Sequence, residues 1–241
     1  MMVGETFAGR VALVTGASAG VGRATALALA AEGAAVGLVA RGEEGLRAVA
    51  DEIARAGGRA LPLPADVTDE AAVGGAVARA ARELGGVDIL IANAGMNRPG
   101  AVEGYPLRDW DLVLGTNLTG VFLAARAVLP EMRARGGGQI IAVASGAGKQ
   151  GYPGLAAYSA AKFGLIGFMQ ALGAEVKAQN IRCGTIVPGS ILTDFGGRNA
   201  AEKRAGPGHY LLPEDVAASI LHQLRQPPHA WVQELSLWPF A

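Results

Sequence analysis

Short apolar runs rich in β-branched residues alternate with helix-length segments along the whole chain, and this alternation limits the possible folds more than any other feature. Most of the runs are apolar almost continuously, which is typical of parallel strands that helices cover on both faces. The predicted strands are Val11 to Val14, Ala35 to Val39, Ala60 to Pro64, Val87 to Ile91, Gln139 to Val143, Ile181 to Val187 and Trp231 to Leu237. The sequence therefore predicts an α/β fold, with a doubly wound parallel sheet of about seven strands and helices on both faces.

Two of the intervening segments have a clear helical period. Apolar residues three or four positions apart run from Leu46 to Ala54 and from Val73 to Leu84, and a glycine follows each run, Gly57 or Gly85. This spacing predicts amphipathic helices that end at those glycines.

The third predicted strand contains Pro62 and Pro64, which lack the N–H group that a central strand needs. That strand is therefore expected at an edge of the sheet, as in the doubly wound order 3-2-1-4-5-6. Ligands of such sheets bind outside the carboxyl ends of the strands, so we expect the chemistry there.

Composition favours one globular domain. Of 241 residues, 51% are hydrophobic and 17% are charged, and no Pro/Ser-rich linker divides the chain, so residues 1–241 are expected to form a single domain. Twenty-one basic residues balance 21 acidic ones, which argues against a nucleic-acid partner. The single cysteine, Cys183, cannot form an internal disulfide, and no metal site is predicted.

No membrane or export segment is predicted. The first residues lack a basic region followed by an apolar one, and the longest uncharged stretch, Leu112 to Ala125, is too short to cross a bilayer. We therefore expect a cytoplasmic protein with no membrane partner.

A glycine-rich turn follows the first predicted strand. Residues 15–22 read Thr-Gly-Ala-Ser-Ala-Gly-Val-Gly, and the glycines have the spacing G-x-x-x-G-x-G. Such glycines allow a tight turn and let backbone N–H groups approach a pyrophosphate at the start of a helix. The turn therefore predicts a Rossmann-type dinucleotide site. The alternative is a strand-to-helix turn with no ligand, which can contain the same glycines.

The same turn also spells G-x-S-x-G, with Ser18 at its centre, which is the nucleophile elbow of α/β-hydrolases. His209, His222 and His229 lie downstream as possible bases. Against a serine hydrolase, the turn follows the first strand, and no His-Gly-Gly-Gly type segment for an oxyanion hole precedes it.

A tyrosine and a lysine four residues apart, Tyr158 and Lys162, would share one face of a helix. A free tyrosine has a pKa near 10, and a lysine cation beside it would favour the phenolate. Ser145 follows the fifth predicted strand, where its hydroxyl could bind a substrate oxygen. A Tyr-Lys pair alone is weak support for a catalytic site, but the combination with Ser145 favours acid–base chemistry.

Taken together, these motifs resemble the short-chain dehydrogenase/reductase family, in its short single-domain type, over nearly the whole chain. The matching pieces, in order, are Thr15 to Gly22, Asp66-Val67, Asn93-Ala94-Gly95, Asn117, Ser145, Tyr158 with Lys162, and Pro188-Gly189 followed by Thr193. The resemblance implies an oxidoreductase that interconverts a carbonyl and an alcohol with a nicotinamide cofactor.

The resemblance also implies a catalytic role for four residues. Tyr158 would protonate the nascent alkoxide in reduction, or act as the base in oxidation. Lys162 would lower the pKa of Tyr158 and bind the nicotinamide ribose. Ser145 would polarise the carbonyl, and Asn117 would hold a water that links Lys162 to solvent.

The implied cofactor contacts lie at the carboxyl ends of several strands. Asp66 and Val67 would contact the adenine ring, residues 93–95 would pass beside the adenosine, and Ile191 and Thr193 would meet the carboxamide. The full set is Thr15, Gly16, Ser18, Ala19, Gly20, Val21, Gly22, Arg41, Asp66, Val67, Asn93, Ala94, Gly95, Tyr158, Lys162, Pro188, Gly189, Ile191 and Thr193. Other roles exist for some of them, since Asp66 could cap a helix and the Pro-Gly pair could simply end a strand.

The residue that ends the second strand favours NADP(H) over NAD(H). An acid about 20 positions after the glycine turn would accept a hydrogen bond from the ribose 2′-OH of NAD, but Ala40 and Arg41 stand here. Arg41 can instead bind a 2′-phosphate. Glu43 and Glu44 follow closely, and their negative charges would instead favour NAD(H).

Substrate choice is expected in a loop at about residues 190–212, where Arg198, Lys203 and Arg204 could bind an anionic substrate or could simply be solvated. The chain ends without the Gly-Gly segment found in relatives that reduce acyl-carrier-protein thioesters, which favours small ketones, hydroxy acids and alcohols. The resemblance implies a homotetramer or homodimer through the helices that bear Asn117 and Tyr158. Phe122, Phe163 and Phe168 are candidates for that interface, although a stripe such as Phe163, Ile166, Met169 and Gln170 could simply be core. The alternative to an active enzyme is a silent nucleotide-binding relative.

Overall fold

The computed structural model describes residues 7–196, 199–206 and 208–240, in which seven strands form one parallel sheet. The strands are β1 Val11–Thr15, β2 Ala35–Ala40, β3 Arg59–Pro64, β4 Ile89–Ala92, β5 Gly138–Val143, β6 Ile181–Pro188 and β7 Glu234–Leu237. Their order is β3-β2-β1-β4-β5-β6-β7. The predicted doubly wound sheet is confirmed, and β3, with its two prolines, lies at an edge because it pairs only with β2.

Helices cover both faces of the sheet. They are α1 Gly20–Ala31, α2 Glu43–Arg55, α3 Glu70–Leu84, α4 Leu107–Leu114, α5 Gly120–Ala134, α6 Ala156–Val176, α7 Ala200–Ala205 and α8 Pro213–Leu224. One apolar core lies between the sheet and α1, α2 and α8, and a second lies between the sheet and α3, α5 and α6. Side chains of a strand alternate between the two cores, as Leu13 and Val14 do in β1.

Strand β7 is shorter than predicted, because it begins at Glu234 and not at Trp231. The indole Nε1 of Trp231 donates a hydrogen bond of 2.6 Å to the Cys183 carbonyl of β6. The side chain of Gln223 similarly donates to the Val232 carbonyl at 2.6 Å. Since side chains bind these backbone groups, the strand ladder starts only after them.

The segment Leu107–Ala134 forms one helical stretch of 28 residues that contains an 18-residue window with a mean hydropathy of 1.6, so by length and composition alone it could cross a membrane. It consists of α4, a π-helical turn over Gly115–Thr119, and α5. Val121, Val128 and Met132 of α5 are buried in the core beneath the sheet. Its apolar character is thus explained by packing within the α/β domain.

Candidate active site

A cavity of about 1020 Å³ opens at the carboxyl ends of the strands. The chain crossovers bring segments that follow all seven strands to this edge. The predicted site residues that line the cavity are Gly16, Ser18, Ala19, Gly20, Val21, Arg41, Asp66, Val67, Asn93, Ala94, Gly95, Ser145, Tyr158, Lys162, Pro188, Gly189, Ile191 and Thr193. The other predicted residues, Thr15, Gly22 and Asn117, are buried and are not among the lining residues. Thr15 and Asn117 bind backbone groups of the segment after β4.

The glycine turn depends on glycine at two positions. Gly16 has a φ of +65°, and a Cβ atom there would lie 2.8 Å from Nδ2 of Asn93. At Gly22 a Cβ would lie 2.6 Å from the same nitrogen and still closer to the Gly16 carbonyl oxygen. Asn93 Nδ2 donates to the carbonyls of Thr15, at 2.9 Å, and Gly16, at 3.3 Å. The turn after β1 is therefore fastened to the segment after β4.

The turn leads directly into α1, whose first backbone N–H groups are well suited to an anion. Ala19 occupies the N-cap position and has no side chain that could accept from these groups. The first turn of α1 contains no acidic residue. The positive end of the helix dipole is thus not neutralised by the helix itself, and the residues present fit the pyrophosphate of a dinucleotide.

Asp66, which follows β3 and lines the cavity, is held in a fixed orientation. Its Oδ1 accepts hydrogen bonds from the backbone N of Thr68, at 2.9 Å, and from the Thr68 hydroxyl, at 2.8 Å. The Thr68 backbone bond is the main cause that lowers the Asp66 pKa, and the charge of Arg41 also lowers it. Asp66 is not the cap of α3, because Asp69 takes that place.

Asn117 is fully buried in the π-helical turn between α4 and α5. Its Nδ2 donates to the carbonyls of Met96, at 2.7 Å, and Val113, at 2.8 Å, and its Oδ1 accepts from the Met96 N–H at 3.3 Å. A π-helical turn in a helix is rare and is often found at functional sites. Here it turns the amide toward the chain segment that follows β4.

Ser145, Tyr158 and Lys162 converge on one wall of the cavity. Ser145 follows β5 and caps a short 3-10 helix, Gly146–Gly148, by accepting from the Ala147 N–H at 3.1 Å. Tyr158 and Lys162 lie one turn apart on α6, and the Lys162 Nζ is 5.6 Å from the Tyr158 ring centroid. Lys162 is buried and donates to the Val143 carbonyl at 2.8 Å.

The pKa values of Tyr158 and Lys162 differ from their ordinary values. Burial raises the pKa of Tyr158 to about 12, and a hydrogen bond with Ser145 opposes that rise. Burial also lowers the pKa of Lys162 to about 7, so this amine is only partly charged at neutral pH. Burial is the main cause of both shifts, and the expectation that Lys162 lowers the Tyr158 pKa when a nicotinamide is bound stays a prediction.

The predicted substrate loop, residues 190–212, contains α7 and a β-bridge between Ile191 and Leu211. The Nζ of Lys203 donates to the carbonyls of Thr193, at 2.6 Å, and Phe195, at 2.7 Å. Lys203 thus ties α7 to the loop, a role the sequence did not suggest. Arg198 lies outside the described residues.

Trp238 was not predicted as a site residue, yet its side chain lines the cavity. It follows β7, whose carboxyl end reaches the same edge as the other strands. An aromatic residue directly after the last strand of a parallel sheet is the sequence signal that could have identified it.

The serine hydrolase alternative gains no support from this geometry. Ser18 lines the cavity, but none of the three histidines is among the described residues that do so. Likewise, no cluster of three or more His, Cys, Asp or Glu side chains that could hold a metal occurs within residues 7–196, 199–206 and 208–240.

Comparison with known proteins identifies the family. The family model described as short chain dehydrogenase matches residues 10–204. The chain is 37% identical to D-threitol dehydrogenase of Mycolicibacterium smegmatis over 220 residues, which cover 88% of this chain and 85% of the relative. It is 40% identical to a 3-oxoacyl-[acyl-carrier-protein] reductase of Escherichia coli over 200 residues, covering 83% and 81%.

A further relative is much longer. The chain is 39% identical over 237 residues, 96% of its length, to glycine betaine reductase of Emericella nidulans, but it spans only 19% of that protein.

Two solved structures share the architecture. An alcohol dehydrogenase of Thermococcus sibiricus, complexed with 5-hydroxy-NADP, has a TM-score of 0.87 at 28% identity and covers 95% of both chains. A metagenomic short-chain oxidoreductase in complex with NADP has a TM-score of 0.86 at 32% identity, covering 98% of this chain and 99% of the other. Sequence, fold and the family match agree, and the chain belongs to the short-chain dehydrogenase/reductase family of oxidoreductases.

Proposed function

We propose that this protein transfers a hydride between NADP(H) and a carbonyl/secondary alcohol pair, with Tyr158 as the general acid or base. The observation that carries the proposal is the convergence of Ser145, Tyr158 and Lys162 on the cavity that the glycine turn also lines. Relatives named as a threitol dehydrogenase and an alcohol dehydrogenase support a carbonyl or alcohol substrate.

The proton path follows from the side chains. A substrate oxygen between the hydroxyls of Ser145 and Tyr158 would accept a hydrogen bond from each, and Tyr158 would donate its proton to that oxygen as reduction proceeds. When bound, the nicotinamide exchanges the hydride with the substrate and, in its oxidised form, adds a positive charge that favours the phenolate. Lys162 would orient the ribose and pass a proton toward Tyr158.

Gly95 leaves space between the side chains of Asn117 and Lys162. A Cβ atom at this position would lie 2.9 Å from Oδ1 of Asn117 and 3.8 Å from Nζ of Lys162, so it would fill the space between them. With glycine there, a water could bridge the two polar groups. This supports the role of Asn117 in a proton relay that resupplies Tyr158.

The surroundings of Arg41 favour NADP(H) over NAD(H). Ala40, which ends β2, and Arg41 line the cavity, whereas Glu43 and Glu44 are absent from its described lining. Glu43 forms an ion pair of 2.6 Å with Arg47 on the surface of α2. Arg47 thus binds Glu43, and neither acid is among the described lining residues, which supports Arg41 as the partner of a 2′-phosphate.

Replacing Arg41 with alanine should weaken NADPH binding about tenfold or more, because one charge-assisted hydrogen-bond partner of the phosphate is lost. NADH, which lacks that phosphate, should bind wild type and variant equally. Fluorescence titration with both nucleotides measures this, and Arg55→Ala, which removes an exposed arginine of α2 outside the cavity lining, is the matched control. Equal affinity of the wild type for NADPH and NADH would refute the preference. Failure to bind either would refute the dinucleotide site.

We also propose assembly into a homodimer or homotetramer through α5 and α6. Phe122 and Phe163 are 40% and 49% exposed, and Phe122 packs edge-on against Phe168 with 6.1 Å between centroids. Ile166 and Met169, on the other side of α6, are buried, so the exposed phenylalanines are not part of the monomer core. Gel filtration with light scattering should give a dimer or tetramer mass, and a monomer mass would exclude this assembly.

A further inference from the structure

Trp238 lines the cavity and packs against Gly146, the residue after Ser145. Its six-membered ring lies close to two glycines: a Cβ atom on Gly146 would contact Cη2 and lie 3.0 Å from Cζ2, and one on Gly189 would be 2.7 Å from Cε3. Only glycine at both positions leaves room for the ring. Despite this close packing on one side, 53% of Trp238 is exposed.

The segment that leads into Trp238 is fastened at two points, Leu237 and Glu234. The Gly189 N–H donates to the Leu237 carbonyl at 2.9 Å. At the start of β7, Glu234 forms an ion pair of 2.6 Å with Lys149, which follows the short helix that Ser145 caps. The indole is thus held in a defined position relative to Ser145.

From this geometry we propose that Trp238 determines substrate specificity, by stacking against the larger substituent of a neutral aromatic ketone or alcohol. The proposal rests on the proposed function, since it takes Ser145 and Tyr158 to bind the reacting oxygen. Aromatic rings stack with offset or edge-on geometry on flat apolar groups, and an exposed indole in a concave site is suited to this.

Two further aromatic side chains face the same space. Tyr152 and Phe195 both line the cavity and are partly exposed, and the Phe195 ring lies 5.7 Å from the ring of Tyr158. With Trp238 they add aromatic surface to the cavity that Ser145 and Tyr158 line. A planar apolar substituent would remove this surface from water.

The charges on the described lining argue that the substituent is neutral. Arg41 and Asp66 lie at the adenosine end of the cavity. On the substrate side, the Asp194 carboxylate accepts from the Ala200 N–H at 2.7 Å, and Lys203 binds loop carbonyls. The Asp194 carboxylate and the Lys203 ammonium have opposite charges, so these two side chains give an anionic substituent no net attraction.

The test compares acetophenone, acetone and 4-acetylbenzoate as substrates with NADPH. The wild type should prefer acetophenone to acetone, and acetophenone to its carboxylate derivative. In Trp238→Leu the ratio of kcat/KM for acetophenone to that for acetone should fall about tenfold, because the stacking partner is lost. Trp238→Tyr should retain most of the ratio.

Phe240→Leu is the matched control, since Phe240 lies in the same tail, is 97% exposed and does not line the cavity. This variant should keep the wild-type ratio. An unchanged ratio in Trp238→Leu, an equal loss in Phe240→Leu, or a preference for 4-acetylbenzoate would overturn the proposal. An equal fall for acetone and acetophenone would show that Trp238 only supports the loop of Ser145, and would overturn it too.

Calorimetry separates this proposal from the proposed function. Acetophenone is titrated into enzyme saturated with NADP⁺, a pair between which no hydride can pass. Tighter binding to the wild type than to Trp238→Leu supports the stacking role even if no ketone is turned over, in which case the proposed reaction alone fails. Binding that is equally tight, or absent, in both proteins overturns the role of Trp238.

Discussion

Replacing Tyr158 with phenylalanine is expected to lower kcat for ketone reduction by about 10²–10⁴-fold, the usual contribution of a general acid. The variant removes one oxygen atom from a buried side chain and leaves the ring to pack as before. NADPH affinity should therefore change far less than kcat. The decrease in NADPH absorbance under saturating ketone measures the rate, and a fluorescence titration measures the affinity.

Tyr152→Phe is the matched control for this experiment. Tyr152 lines the same cavity but does not lie on α6 beside Lys162. Its loss should leave kcat within a few-fold of the wild type. If Tyr158→Phe retained the wild-type rate, Tyr158 could not be the proton donor. If the wild type bound NADPH but turned over no ketone or alcohol, a silent nucleotide-binding protein would be the better description.

The second large effect concerns the dependence of stability on pH. Lys162 has an ordinary pKa of 10.5 and a pKa of about 7 in the folded protein, because burial disfavours its charge. Between these values the unfolded chain binds a proton that the folded chain does not, so the free energy of unfolding rises with pH. Below pH 7 Lys162 is protonated in the folded protein too, so burial of its charge lowers the free energy of unfolding by the full amount. Each pH unit within this window adds up to about 1.4 kcal/mol.

Lys162→Met should remove this rise. Between pH 7 and pH 9, the free energy of unfolding should rise by about 2–3 kcal/mol more in the wild type than in the variant. Urea unfolding at a series of pH values measures this difference. The range stops at pH 9 because burial raises the pKa of Cys183 and of Tyr158 to about 12, so ionisation of these groups in the unfolded chain lowers stability at higher pH. Lys177→Met is the control, because Lys177 is exposed, and its free energy of unfolding should change with pH as in the wild type. A parallel curve for Lys162→Met as well would show that Lys162 is charged in the folded protein.

Local patterns were sufficient to predict the architecture. Nearly continuous apolar runs require cover on both faces, and the prolines of β3 cannot serve in a central ladder, so the sheet and its edge follow from residue types alone. The family match adds that the chain is a short-chain dehydrogenase/reductase. The spacing of glycines, and of Tyr158 and Lys162, similarly depends on local geometry, which a sequence displays directly.

Other features arise from contacts between distant segments, and only the tertiary structure decided them. Trp231 precedes the first paired residue of β7, because its indole N–H donates to the Cys183 carbonyl, a bond between residues 48 positions apart. Trp238 becomes part of the site because β7 pairs with β6 and carries it onto Gly146 and Gly189. The pKa values of Tyr158 and Lys162 are set by burial, which depends on how the whole domain packs around them. The sequence by itself determined the sheet and most of the residues at its carboxyl edge. The packing of distant segments decided which of these residues are in contact, how deeply they are buried and, through burial, their pKa values.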